Sequence, residues 1–350
     1  MGSGSEVKDL TLSDLNILGN DSVGGVAGVN DGGTVLDCKV QGNVNGVNSH
    51  YHIGGIVGLN DNGGIVQGCS FTGGTVKGTG TGYYTGGIVG FNSNGTVESC
   101  FVTGNVAGDT NVGGMVGWNV YSTSTVRYSY ATGNVTGSHL VGGVTGENDG
   151  TVEYCYSTGV VAAAGSGDVG GVVGSVPTGG IVRHCFSTGD VTGTGDSGGV
   201  AGRIWHDAII EYCYATGNVY GGGSYSGGIV ATQLGSALGS VQFCVALNPS
   251  VRATGVTYLK RVIGYNGGGI PLNNNYARID MDLFDNTTPV SPTPAEMTTT
   301  GSEGQNVSGG TGPGEYNTQA FWDTIVDPGW NFSTIWEWGS NNLPALRGMP

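Results

Sequence analysis

The sequence predicts an all-β protein, a parallel β-helix or β-solenoid of about nine coils, right-handed, with a Trp-rich C-terminal cap. The first observation behind this is a period. Paired glycines begin at Gly24, Gly54, Gly86, Gly113, Gly142, Gly170, Gly198 and Gly227, at separations of 30, 32, 27, 29, 28, 28 and 29 residues. A repeat of this length is the mark of coils that bury their apolar side only by stacking on their neighbours. The second is composition: 72 glycines in 350 residues, interleaved with Val, Ile, Thr and Tyr and lacking any Gly-X-Y triplet. That is the chemistry of short strands joined by tight corners, and it excludes collagen. The third is that each position of the repeat keeps its character from copy to copy. Right-handedness is the usual hand of parallel crossovers.

The chain divides accordingly. Met1-Gly-Ser-Gly-Ser5 reads as an appended leader left by cloning, so the natural N-terminus is expected to lie elsewhere. Residues 6–20 form a starter half-coil, 21–280 the repeats, 281–320 an irregular loop and 321–350 the Trp-rich cap segment.

Three residues before each cysteine stands Val35, Val66, Val97, Val126, Val152, Val182, Ile210 or Val241, a column that must be buried. The next column, Gln67, Glu98, Arg127, Glu153, Arg183, Glu211 and Gln242, faces water, with acids and arginines alternating as ion pairs. Then come Cys38, Cys69, Cys100, Cys155, Cys185, Cys213 and Cys244, with Ser129 in the remaining place. One cysteine per repeat is not a disulfide framework, and no Cys-x-x-Cys suggests a metal; the thiols read as small buried hydrophobes. A flat strand cannot bury two residues three apart, so a corner is expected just before the cysteine. Leu10 and Leu12 fit the same frame and favour the inward reading.

The Gly24–Gly28 segment and its copies read as one strand, with a tight corner at the last glycine (Gly58, Gly90, Gly117, Gly146, Gly174, Gly202). Two residues on, Asn30, Asn60, Asn92, Asn119 and Asn148 suit a stacked amide ladder. A further strand carries Val44, Val76, Val106, Val135, Val191 and Val219, giving two or three strands per coil before a variable connector. A decayed ninth repeat ends at Asn275-Tyr-Ala277. Beyond it, four of the six tryptophans (Trp322, Trp330, Trp336, Trp338) are expected to plug the C-terminal end of the solenoid or lie along its side.

With these columns laid out, the repeat resembles the GLUG motif family. The resemblance rests on Gly-Gly-Ile-Val-Gly-x-Asn at Gly54–Asn60 and Gly86–Asn92, Gly-Thr-Val-Glu-x-Cys at Gly95–Cys100 and Gly150–Cys155, and Thr-Gly-Asn-Val-x-Gly at Thr103–Gly108 and Thr132–Gly137. The tail, with Gly-Trp-Asn-Phe-Ser-Thr-Ile-Trp, looks like the segment that often follows such repeats. The family implies bacterial or archaeal surface and secreted proteins, adhesin-like, some of them accessory regions of immunoglobulin A-cleaving metallopeptidases. It carries no assigned catalytic residues.

The residues themselves point away from catalysis. The five histidines, His50, His52, His139, His184 and His206, form no His-Glu-x-x-His, and Gly-x-Gly-x-x-Gly means nothing in so glycine-rich a chain. A formal charge of −15 disfavours nucleic acid, and no apolar run is long enough for membrane insertion. No cofactor is expected; Asp31, Asp61, Asp149 and Asp190 offer calcium only sparse ligands. The threonine column Thr72, Thr103, Thr132, Thr158, Thr188 and Thr216 is explained by β-propensity before any ordering of water or ice.

The feature that asks for a function is aromatic. If the cysteines point in, the rings beside them point out: Tyr128, Tyr130, Tyr154, Tyr156, Phe186, Tyr212 and Tyr214, extended by Phe101, His184 and Phe243. Such a stripe suits stacking on sugar rings or contact with a protein; alternatively the rings stabilise the ladder or are covered by the tail. Tyr83 and Tyr84, on connectors, form a second candidate surface. The expected function is a monomeric, non-catalytic extracellular or cell-surface module, a stalk or an adhesin-like binder of host or environmental glycan or of a surface protein. A polysaccharide-processing β-helix enzyme and a plain spacer are the alternatives; a groove of clustered carboxylates would favour the enzyme.

Overall fold

The computed structural model describes residues 1–47, 52–80, 84–236, 238–255, 258–292, 294–298, 300–310, 314–324 and 330–349. It is a parallel β-solenoid. The coil from residue 52 to residue 78 shows the plan: strands His52–Gly54, Val57–Asp61, Ile65–Gln67, Ser70–Thr72 and Thr75–Gly78. Five short strands replace the two or three expected, because a bend of about two residues follows each one. Like pairs with like from coil to coil, as in Val35↔Val66, Val97↔Val126 and Val182↔Ile210. The ladder through Ile65–Gln67 has 10 strands, running from Glu6–Lys8 to Leu272–Asn273, the starter rung and the nine coils after it. Glu6–Lys8 and Thr11–Gly19 pair with the first full coil, as expected of a starter.

The corner before the cysteine is real, and its conformation is the left-handed one. Asp37, Ser99, Tyr128, Tyr154, His184, Tyr212 and Phe243 have φ between 49° and 55°. A single left-handed residue reverses the facing of the next side chain, so valine and cysteine, three apart, both enter the core. All seven cysteines are free and buried. Each thiol finds the carbonyl two residues back, as Cys69 Sγ does with Gln67 at 3.2 Å. Ser129 makes the same bond to Arg127 at 2.8 Å and accepts the Cys100 N–H at 3.0 Å, which is why a serine can stand in the column.

The corner expected at the third glycine falls earlier. Gly58 lies inside Val57–Asp61; the bend is at Gly55 and Ile56. Gly55 and Gly58 must both be glycine because backbones crowd them. A Cβ on Gly55 would lie 2.1 Å from the Gly87 carbonyl oxygen, and one on Gly58 2.6 Å from that of Gly28.

The amides stack as expected. Asn30, Asn60, Asn92, Asn119 and Asn148 are fully buried and donate Nδ2 to Oδ1 along the series at 2.7–2.8 Å. Each also donates to a corner carbonyl; Asn92 reaches Gly95 at 3.0 Å. Val176 and Ile204 break the ladder together, and Gln233 and Asn266 follow them. Removing both partners of a buried bond can be nearly neutral, whereas removing one strands the other. Asn92→Leu is therefore expected to cost about 1–3 kcal/mol for each group left unpaired. A lower urea midpoint at unchanged slope would be the sign of this; an unshifted midpoint would show that the ladder carries no stability.

The solenoid is closed by residues that were expected to be irregular. Asp282–Asp285 pairs with Ser250–Ala253 and turns back through Thr288–Pro289, and Gln305–Val307 pairs with Tyr276–Arg278. Lys260 and Arg261 occupy the places of the paired glycines. With no further coil to crowd this position, an arginine fits; it is fully buried and meets the buried Glu303 at 3.4 Å. Of the two places expected for the tryptophan segment, end or side, it takes the side. It lies along the flank as a short helix, Gln319–Thr324, and a hairpin of Trp336–Trp338 with Pro344–Leu346.

Candidate functional site

The rings beside the cysteines form two parallel stacks. Tyr128, Tyr154, His184, Tyr212 and Phe243 follow one another at 4.8–5.1 Å, within 11° of parallel. Phe101, Tyr130, Tyr156, Phe186 and Tyr214 make the second, at 4.7–5.4 Å and within 8°. The spacing is that of the β-ladder itself. Left-handed aromatic residues are costly, on the order of 1–3 kcal/mol each. Stacking on both sides, worth about 0.5–1.5 kcal/mol per pair, offsets that cost. His184 sits within the stack as a neutral ring, its pKa pushed down to about 4 by burial and then by Arg183.

The tail covers part of this surface. Trp322, Trp330 and Trp336 are buried against Tyr156, Phe186, Tyr214 and Tyr276. The Tyr214 hydroxyl donates to the Pro344 carbonyl at 2.6 Å, and Trp330 Nε1 to that of Phe243 at 3.2 Å. Tyr156, Phe186 and Tyr214 are only 5%, 8% and 1% exposed, so the expectation that these three present an open face is corrected: the indoles needed an apolar bed and found it here. Burial also raises the Tyr156 and Tyr214 hydroxyls above the usual range. Tyr212 and Tyr154 are half-buried, Tyr130 likewise, and Tyr128 is 44% exposed.

The open part is therefore the edge of the ladders near the N-terminal side of the tail. Tyr128 and Tyr154 face Ile335, Arg347 and Met349 across a cleft of about 290 Å³. It continues beside Phe101 and Tyr130, and then along Thr103, Thr132 and Thr158, whose side chains are exposed. Flat rings bordered by hydroxyls and one guanidinium can stack on a sugar face and bond its hydroxyls.

Tyr84 lies elsewhere, and Tyr83 lies outside the described residues. Tyr84 belongs to a concave corner where the strand before the paired glycines faces the strand after them. There His52, Tyr84, Phe91 and Trp118 pack at 4.9–5.7 Å. Farther along, Asn111 donates to Glu147, Trp118 to Asp149 at 2.6 Å, and Arg203 holds Asp168 and Asp196 at 2.9 and 3.1 Å. Burial raises Glu147 and Asp168 to about 7 each; the Asn111 bond opposes the first shift and the Arg203 charge the second. The sequence reading missed this corner. Apart from Asp149, its residues have fixed addresses, two before the first glycine and one before the asparagine, but only the bend at the glycines turns them toward each other.

The carboxylates singled out for calcium are each engaged in a ladder bond: Asp31 with Asn62, Asp61 with Ser93, Asp149 with Trp118 and Asp190 with Asn218. In the outer column Arg127 pairs with Glu98 at 2.9 Å and Arg183 with Glu153 at 2.7 Å, as expected of a salt-bridged face.

Comparison with known proteins bears on the repeats. Residues 49–77, 81–107 and 193–220 match the GLUG motif. No curated protein matches the chain. Among solved structures it is similar to a Bacteroides ovatus protein provisionally named an immunoglobulin A1 protease, at 18% identity and a TM-score of 0.44, over 90% of this chain and 77% of that one. Three segments thus match the GLUG motif, and their strands pair position for position with those of the other coils.

Proposed function

We propose that this solenoid is a non-catalytic extracellular module, a stalk that also binds glycan through the open edge of its aromatic ladders. The observation that carries the reading is the emergence of Phe101, Tyr128 and Tyr130 from beneath the tail, stacked in register beside exposed threonines. Rings held rigid before binding lose little entropy on contact. The excess of acid over base supports a neutral partner over a polyanion.

One observation favours the enzymatic alternative, the carboxylates of the concave corner. Each of them, however, already serves Asn111, Trp118 or Arg203. A general acid or base must be within reach of substrate with its proton site available. Binding remains the better-supported reading.

The test is a glycan array with the intact chain and a Tyr128→Ala/Tyr130→Ala variant. Loss of each stacking platform is expected to weaken a captured glycan by roughly tenfold, about 1.4 kcal/mol. Capture that survives unchanged in the variant would remove the ladder edge from consideration, and no capture by either would leave the spacer reading.

A further inference from the structure

The concave corner ends at the last coil in a cavity of about 470 Å³. Its floor is aromatic: Tyr258 and Tyr265 line it, with Tyr225 packed behind them at 5.7 and 4.9 Å. Leu259, Lys260 and Asn266 of the same coil also line it, and the rest of the wall comes from outside the repeats. The turn-back hairpin supplies Asp285 and Val290, and the closing segment supplies Glu296 and Ser302. Every earlier coil is followed by another coil; among the described residues, only here does the chain roof the corner with different elements. The roof leaves space instead of filling it, and Tyr258 stays 40% exposed.

The charges around this space are already matched. Lys260 bonds Glu296 at 2.6 Å and lies 3.3 Å from Glu303, which also holds Arg261 at 3.4 Å. Asp285 accepts the Gly255 N–H at 3.0 Å. The cavity therefore offers aromatic faces beside fixed hydrogen-bonding groups, with its cation committed to carboxylates. That mixture fits a ring that is apolar on one face and hydroxylated at its rim. A carboxylate-bearing ligand would meet Asp285 and Glu296 with no uncommitted cation to receive it.

We propose that this cavity is a saccharide site that takes an uncharged sugar ring, with Tyr258 and Tyr265 as the stacking floor and Asp285, Glu296 and Ser302 as partners for its hydroxyls. The volume is within the range of small-molecule sites. It lies on different ladders from the edge of Phe101, Tyr128 and Tyr130, so the two surfaces stand or fall separately.

The experiment is an NMR titration of the full chain with glucose, galactose, mannose and N-acetylglucosamine, and with glucuronate as the charged control. At least one neutral sugar is expected to shift the Tyr258 and Tyr265 signals with a dissociation constant on the order of 1 mM. Glucuronate is expected to bind at least tenfold more weakly. Tyr258→Ala, at an exposed position that leaves the fold intact, should weaken the neutral sugar about tenfold, whereas Tyr258→Phe should retain it. Tyr128→Ala/Tyr130→Ala should leave this titration unchanged. The proposal is overturned if no neutral sugar moves the two tyrosines, if glucuronate binds as well, or if Tyr258→Ala binds like the parent.

Discussion

Replacing Glu303 with alanine is expected to destabilise the protein by about 3–5 kcal/mol, the cost of leaving a buried charge without its partner. Glu303 is 1% exposed and touches two cations, Arg261 at 3.4 Å and Lys260 at 3.3 Å. It also accepts the backbone N–H of Arg261 at 3.1 Å. Arg261 is fully buried and cannot turn to water, since Asn306 and the Gly304 carbonyl hold its guanidinium at 2.7 and 3.0 Å. Replacing both members, Arg261→Met with Glu303→Leu, should recover most of the loss, because well-packed apolar groups often match a buried pair. Urea unfolding of the two singles and the double gives the coupling directly. If Glu303→Ala unfolds like the parent, the pair does not close the solenoid.

Why such a pair sits there was hidden in the sequence, although the position was not. The paired glycines were legible as a period, and that period placed every coil. Their physical cause was not legible, because the 2.1 Å approach of one coil's carbonyl to the next coil's glycine exists only after stacking. The ninth repeat therefore read only as a decayed one, and the Lys260-Arg261 that stands at its glycine positions went unremarked. In the structure it is the repeat adapted to having no successor. The inward cysteines and the corner before them could be argued from Val and Cys standing three apart, and φ values near 50° at that corner bear the argument out. The number of strands could not, since a bend of two residues leaves no mark on a pattern already rich in glycine. The aromatic columns were visible as columns. Which part of them stays open depended on a tail with no repeat to index it, and side chains that meet across a bend, such as Asp168 with Arg203, share no sequence neighbourhood.

That tail makes the second large effect. Trp330 is 1% exposed and stands between Trp322 at 4.6 Å and Trp336 at 4.7 Å, with Tyr214 at 6.2 Å. Trp330→Ala removes the centre of this cluster and the bond to the Phe243 carbonyl, at an expected cost of about 3–5 kcal/mol. The loss should be local. The coils carry their own core of valine, isoleucine and cysteine columns, separate from the aromatic cluster, so the solenoid has no need of the indoles to stay folded. Limited proteolysis should then cut after about residue 310 in the variant, while far-UV dichroism keeps its β signature. Release of the tail would also bare Tyr156, Phe186 and Tyr214, lengthening the open ladder from its present edge. If glycan binding resides in stacked rings, Trp330→Ala should capture the same glycans as the parent or more. Reduced capture would mean that Arg347 and Met349, held in place by the tail, supply the specificity and the rings only the floor.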